Sequence, residues 1–231
     1  MAQKTFNLLL DSLPPAQRKA LLTRMEPVSL PIGTILYRTG EQPDYAHFMT
    51  SGIASIVTFM ANGAGAEVGL IGREGLVEAI NLLGPANPPT TAFIQVEGAA
   101  LRIRYAELRK QLDAPGMLFR RILEFVQCNG FILSQLAACN GLHEVEERLA
   151  RWLLMVQDRV QSDSFYLTQE FLAEMLGIRR TSVSAAAGNL QKSGLIGYRR
   201  GHIQVLKRRE LEGAACECYP IVRDLASHLN A

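Results

Sequence analysis

The chain has 231 residues, 48% of them hydrophobic, with 24 Lys and Arg against 22 Asp and Glu for a formal net charge of +2. That length suits one large domain or two modest ones with real cores, and no basic, apolar, small-residue leader of a secretory signal stands at the N-terminus. The charge-free segment 45–66 is broken throughout by Ser, Thr, Asn and Gly, which excludes a membrane span there. Its four cysteines (Cys128, Cys139, Cys216 and Cys218) form no Cys-x-x-Cys pair. A disulfide framework is therefore not expected, and the reading is a cytoplasmic protein with reduced thiols.

From the N-terminus, Asn7 to Met25 has a helical period that Pro14 and Pro15 split into two short helices. After Pro27 the pattern changes to short apolar runs with turn residues between them. Val28–Leu30, Ile35–Tyr37, Ala46–Met49 and Ile53–Met60 read as strands, with Gly33, Gly40 and Gly52 at turns. Asn62-Gly63 signals a hairpin. Glu67–Ile71, Ala92–Val96 and Ala100–Ile103 read as further strands. Many short strands at this spacing predict an antiparallel roll or barrel. A helical period returns at Tyr105.

The run Met117 to Leu142 is long and apolar. Leu118, Ile122, Phe125, Asn129, Ile132, Leu136 and Cys139 recur in steps of four and three, a heptad seam expected to carry a dimer interface. A second register runs through Val126, Leu133 and Asn140. Glu144 to Gln157 is another amphipathic helix.

The stretch QEFLAEMLGIRRTSVSAAAGNLQKSG, residues 169–194, reads as helix, tight turn, helix. Thr168 is the N-cap, Ala173 is small where the helices press together, and Gly177 stands at the turn. The second helix presents Arg179, Arg180, Thr181 and Ser184 near its N-terminus, as a major-groove reading helix needs. Between Met175 and Arg209 there are eight Lys or Arg and no acid, a concentration of charge suited to phosphate. Leu195–Tyr198, the turn Arg199-Arg200-Gly201 and Ile203–Leu206 form a small hairpin, the wing of a winged helix. Arg209 to Ala231 reads as helix interrupted at Pro220. Arg180, Thr181 and Ser184 are expected at base edges, because Arg donates two bonds to guanine and Ser or Thr reaches several bases. Arg179, Thr168, Gln169, Ser182, Arg199, Arg200 and His202 are expected on phosphates, where they position the protein without specifying sequence.

This order of parts resembles the Crp/Fnr family of bacterial transcription regulators. The stretches that carry the likeness are LPIGTILYRTGEQPDYAHFMTSG, EVEERLARWLL and LTQEFLAEMLGIRRTSVSAAAGNLQKSGLIGYRRGHIQV. The resemblance covers nearly the whole chain. It implies an α+β fold: a jelly-roll-like β-roll sensor over residues 1–115, a dimerisation helix over 116–142 and a winged helix-turn-helix over 143–231. It also implies a homodimer on a roughly palindromic site of double-stranded DNA, with RNA polymerase as a further partner. The family's usual reading positions fall on Arg180, Thr181 and Ala185. Glu is common at the second and Arg at the third, so this half-site should differ from the best-known ones.

The resemblance does not name the effector. Cyclic-nucleotide-binding members carry a Gly-Glu pair for the ribose, then Arg followed by Ser or Thr for the phosphate. In GLVEAINLLGPANPPTTAF, residues 75–93, Glu78 and Ala79 fall at the first pair and Thr90 and Thr91 at the second. A buried phosphate without a cation is costly, so cyclic nucleotide is not expected. An iron–sulfur cluster is not expected either, since no Cys precedes Cys128. Haem stays open on His47 alone, a residue whose ordinary role at a strand position is packing. Cys128 and Cys139 could form a redox switch across a dimer, though small buried Cys on an apolar helix ordinarily pack. Cys216 and Cys218 alone are too few for a closed zinc site, so no metal is expected.

An enzyme on a cupin-like barrel is the alternative from another class. It needs clustered His with a carboxylate, and the roll offers only His47. A signalling module whose winged helix no longer reads DNA is disfavoured by the acid-free basic stretch.

Overall fold

The computed structural model describes residues 4–113 and 116–227. Two short helices open the chain, α1 (Leu8–Asp11) and α2 (Pro15–Leu22). Asn7 caps α1 by accepting from the Leu10 amide, and its Nδ2 donates to the carbonyls of Met49 and Gly75. One buried amide thus caps the helix and ties it to the roll. Pro15 sits at the first position of α2, where a missing N–H costs nothing.

The roll is an antiparallel sheet of β1 (Glu26–Leu30), β2 (Ile35–Tyr37), β3 (Tyr45–Phe59), β4 (Gly65–Ile71), β5 (Leu76–Val77) and β6 (Thr91–Arg104). Its order is β1-β6-β3-β4, with β2 also on β6 and β5 also on β3. Strands expected as separate pieces are continuous here. Ala46–Met49 and Ile53–Met60 belong to one β3, and Ala92–Val96 and Ala100–Ile103 to one β6. Gly52 is therefore no turn. It is an irregularity inside β3, at φ +72°, where the register slips against β6. A Cβ on Gly52 would lie 2.5 Å from the Val96 carbonyl oxygen, and one on Gly98 would strike Ser51. The two glycines let the strands cross with their backbones almost touching.

A 3₁₀ turn (Ala79–Leu83) links β5 to β6, and α3 (Tyr105–Lys110) leads to α4 (Met117–Leu142). Next come α5 (Val145–Val160), β7 (Ser164–Tyr166), α6 (Gln169–Leu176), α7 (Arg180–Lys192), β8 (Ile196–Arg199), β9 (His202–Val205), α8 (Arg208–Ala214) and α9 (Cys218–Ser227). A reciprocal pair, Glu144 and Glu147, starts α5. Pro220 does not break the tail. It falls in the first turn of α9, where helices tolerate Pro, and the break lies between Ala214 and Cys218.

Two cores result. The first packs Phe48, Met49, Ile94, Ile103 and Leu108 against α1, α2 and the first half of α4. The second surrounds α5, whose residues 148–157 are all buried. It gathers Leu149, Trp152, Leu153, Leu172, Val183, Leu190 and Ile203, and it also takes Ile53, Val57 and Leu70 from the roll. The reading head is thus packed on its own roll. Phe93 meets Phe171 edge to face with ring centroids 6.2 Å apart, and Arg159 pairs with Glu74 at 2.8 Å.

The heptad expected at the dimer seam points elsewhere. Leu118, Ile122 and Phe125 are buried in this chain's roll core, Ile132 in the head core, and Cys139 in a separate cysteine cluster. Asn129 and Leu136 are half-buried. The face of α4 left exposed runs through Leu123, Gln127, Phe131, Ser134 and Ala138, with Gly130, Ala137 and Gly141 beside them. From Gln127 onward it keeps heptad steps of four, three and four, two positions along from the expected seam.

At the junction of roll and head the indole of the sole tryptophan, Trp152, donates to Glu67 at 2.8 Å, and Ser55 donates to it at 2.9 Å. Burial outweighs these bonds and pushes the Glu67 carboxyl up to about 7. Between its ordinary value and about 7 the folded chain therefore holds a proton that the unfolded chain has lost, so stability falls as pH rises through that window. The effect is of order 3 kcal/mol. Trp152 fluorescence is expected to titrate near pH 7, and Glu67→Gln to flatten both that titration and the pH dependence of the urea midpoint. A wild-type emission constant from pH 5 to 8 would contradict this.

Candidate nucleic-acid interface

The reading head is assembled from the turn outward. The Thr168 hydroxyl accepts from the Phe171 amide at 3.2 Å and starts α6. Gly177, at φ +63°, ends α6 in the left-handed region, and the Ile178 amide returns to the Ala173 carbonyl at 3.0 Å. Leu172, Ala173, Val183 and Ala186 fill the angle between α6 and α7. The N-terminus of α7 is thereby left open, its amides and dipole available to a phosphate.

Arg179, Arg180, Thr181 and Ala185 are exposed. Arg180 is held loosely by Glu170 at 3.5 Å, with both side chains well exposed. Such a pair is worth little and can yield to a base edge. Ser184 is less free than its position suggests. It is half-buried, and its hydroxyl donates to the Gln169 Oε1 at 2.6 Å. It therefore braces Gln169 across the two helices, while Ser182 sits half-buried at the start of α7.

The wing is β8 and β9, with β7 paired to β9 as a third strand that the sequence did not signal. Arg200 at φ +51° and Gly201 at φ +84° make the two-residue turn. A Cβ on Gly201 would come within 2.6 Å of the Tyr166 ring. Arg199, Arg200 and His202 are exposed at the tip, with His202 edge-on to Tyr166. The basic stretch is not all on this face. Arg208 turns away to Asp158 at 2.7 Å and Glu212 at 3.0 Å.

In the roll, the four residues read as an effector pocket have the following surroundings. Glu78 is buried and takes the left-handed region at φ +66°. Its polar neighbours are the phenols of Tyr37 and Tyr105, both raised above their ordinary range by burial and by the charge of Glu78. Burial likewise raises the Glu78 carboxyl. Thr90 shares a hydrogen bond with Tyr37 at 3.1 Å, Thr91 bonds Thr39 at 3.2 Å, and Ala79 is buried. His47 is buried, and burial, followed by the charge of Arg102, lowers it to about 4 and keeps it neutral at pH 7.

The cysteines are arranged differently from what their spacing suggested. Cys128 Sγ contacts the Leu225 carbonyl at 3.2 Å, an ordinary packing contact. Cys139 lies 3.4 Å from Cys216, sulfur to sulfur, and Cys218 lies 3.6 Å from His143 Nδ1. The donor atoms of Cys139, His143, Cys216 and Cys218 all lie within 4.8 Å of one another. Sequence reasoning finds too few metal ligands because it counts only the Cys-x-Cys arm; the fold adds Cys139 and His143.

Two family models match the chain, a cyclic nucleotide-binding domain over residues 27–114 and a Crp-like helix-turn-helix domain over 147–214. No curated relative matches at the level of sequence. A Crp/Fnr-family transcriptional regulator from Eubacterium rectale has a similar structure. Its TM-score is 0.72 at 17% identity, over 91% of this chain and 99% of that one. FixK2 from Bradyrhizobium japonicum aligns with a TM-score of 0.70 at 16% identity, over 83% of this chain and 98% of that one. The c-di-GMP-responsive global regulator CLP of Xanthomonas campestris aligns with a TM-score of 0.68 at 17% identity, over 83% and 99%.

Proposed function

The chain belongs to the Crp/Fnr family of transcriptional regulators, and from that premise we propose that it binds a roughly palindromic DNA site as a homodimer, with Arg180, Thr181 and Ala185 at base edges. The observation that carries this reading is the open N-terminus of α7, with Arg179, Arg180 and Thr181 exposed on it, together with the exposed basic tip Arg199–His202 of the wing. Ser184 acts by bracing Gln169 rather than by reading a base. Arg179, Ser182, Thr168, Gln169, Arg199, Arg200 and His202 hold the phosphates. RNA polymerase is the next partner in this reading, and the protein acts where DNA is, in the cytoplasm. Two copies present their reading helices to successive major grooves about 34 Å apart.

Arg180→Ala is expected to weaken binding to the preferred site roughly 5- to 150-fold, the range of one lost bidentate base contact, and to relax preference at one base pair. Arg200→Ala should instead weaken all sequences alike and lower the salt dependence of binding. The two outcomes are separated by fluorescence polarisation on matched and scrambled duplexes at several salt concentrations.

The signal received by the roll is not a cyclic nucleotide in this reading. A cyclic phosphate would enter beside the Glu78 carboxylate, with Thr90 where a cation is needed, and like charges at short range in a dry site repel strongly. DNA selection from random duplexes is expected to enrich a palindrome equally with and without cyclic AMP. Enrichment only with cyclic AMP would overturn this part, and no enrichment in either arm would count against constitutive DNA reading.

A further inference from the structure

The C-terminal end of α4 and the lead into α9 converge on one point. Cys139 and His143 are four residues apart, so the turn at the end of α4 sets both on one side. Cys216 and Cys218 approach from the other chain segment, at the break between α8 and α9. Cys139, Cys216 and Cys218 are buried and His143 is nearly so, its side chain 19% exposed. A tetrahedral ion with sulfur bonds near 2.3 Å and a nitrogen bond near 2.0–2.1 Å needs its donors roughly 3.5–3.8 Å apart. Cys139 and Cys216 lie 3.4 Å apart, sulfur to sulfur, and Cys218 lies 3.6 Å from the imidazole, and all four donors lie within 4.8 Å. Small side-chain rotations close that set on a single centre.

The surroundings fit a metal as well as the donors do. His143 Nε2 faces the Glu217 carboxylate at 3.1 Å, which fixes the ring with Nδ1 toward the sulfurs. Gln135 Nε2 donates to Cys218 Sγ at 3.1 Å, a bond that strengthens once that sulfur is a thiolate. Most telling are Arg148 and Arg151, buried at 7% and 3% exposure and near enough to Cys139 and Cys216 to act on their charge. Arg148 donates to the Leu176 carbonyl at 2.6 Å and Arg151 to Met155 Sδ at 3.2 Å, neither of them an anion. Both Nε atoms lack a hydrogen-bond partner, and among the described residues no carboxylate lies within ion-pair distance of either. Buried guanidinium groups need an anion. A divalent ion held by three thiolates and one neutral imidazole carries a net charge of −1, and would supply it.

We infer that Cys139, His143, Cys216 and Cys218 form a structural site for one zinc-class divalent ion, which fastens the end of α4 to α9 of the reading head. The donor set is soft and closed, the pattern of structural zinc rather than of a hard cation. On binding, three S–H bonds give their protons to solvent, and four donor bonds to the metal replace its water ligands. No redox step is involved.

The test uses the full-length protein purified without chelators in reducing buffer. Elemental analysis is expected to find about one zinc per chain in the wild type and less than about a tenth of that in the Cys216→Ser/Cys218→Ser double variant. Stripped wild type with all four thiols titratable should take up cobalt(II) with the charge-transfer and d–d absorption of a tetrahedral thiolate site, releasing protons as it does. His143→Gln, on the partly exposed ligand, keeps the test open if the double variant fails to fold, and should weaken cobalt binding at least tenfold. Fully reduced wild type without zinc and without cobalt bands would overturn the inference. So would a native Cys139–Cys216 disulfide whose reduction restores no cobalt uptake.

Discussion

Phe131→Glu is expected to turn the protein into monomers and to lower its affinity for a palindromic site by a factor of about 10² or more. Phe131 is 54% exposed on a helix long and apolar enough, by length and composition, to cross a membrane. The face it shares with Gln127, Ser134 and Ala138 keeps heptad spacing, with Leu123 exposed one turn earlier, and is flanked by glycines and an alanine. A second copy of α4 can lie close there, packing Phe131 beside a shallow, small-residue surface. The factor follows from linkage. In a dimer the second reading head binds its half-site as an intramolecular event, at an effective concentration far above any free protein. A Glu across a two-fold seam sets like charges against each other in a drying interface. Sedimentation and polarisation should therefore change together, while affinity for an isolated half-site stays the same. Leu136→Asp is the instructive contrast. Leu136 packs against the head core of its own chain, so that change should lower the melting temperature rather than the association constant. A dimeric Phe131→Glu protein with unaltered DNA affinity would move the interface off this face.

The difference between those two variants marks where the sequence stops being informative. Heptad counting finds stripes on α4, but an apolar stripe is the same signal whether it meets the chain's own roll or another copy. Leu118, Ile122 and Phe125 are spoken for by contacts with distant segments such as Gly75, which no local period contains. The reading head was legible because its constraints are local: Gly177 in a left-handed turn, Ala173 at the helix crossing, Gly201 in a two-residue wing turn. The partners of Ser184 and Arg208 were not, since exposure cannot be inferred from residue type. The cysteine site needed two arms separated by most of the reading head, brought together only when α9 packs along α4. In the roll, Gly52 looks like a turn residue because a glycine ends an alternating run in either case; a turn and a bulge differ only in what the next strand does.

That last distinction carries the second large effect. Gly98→Ala is expected to destabilise the roll by at least about 3 kcal/mol, and Gly52→Ala by a similar amount. At Gly98 the added methyl would overlap the backbone of Ser51 and Gly52, and at Gly52 it would meet the carbonyls of Val96 and Glu97 in a backbone already at φ +72°. Backbone on both sides leaves no flexible side chain to yield, so β3 and β6 must separate at the centre of the sheet. For a chain of this size the melting temperature should fall by roughly 6–12 °C. The consequence reaches the DNA-binding end. Ile53 and Val57 follow Gly52 on β3 and are buried in the head core, so Trp152 emission should shift in the same transition rather than in a later one. Gly213→Ala is the control. It lies inside α8 with nothing within 4 Å of the added carbon, and Ala is the better helix former by up to about 1 kcal/mol. A melting temperature for Gly98→Ala within a degree or two of wild type would mean the strands do not cross as closely as their register requires.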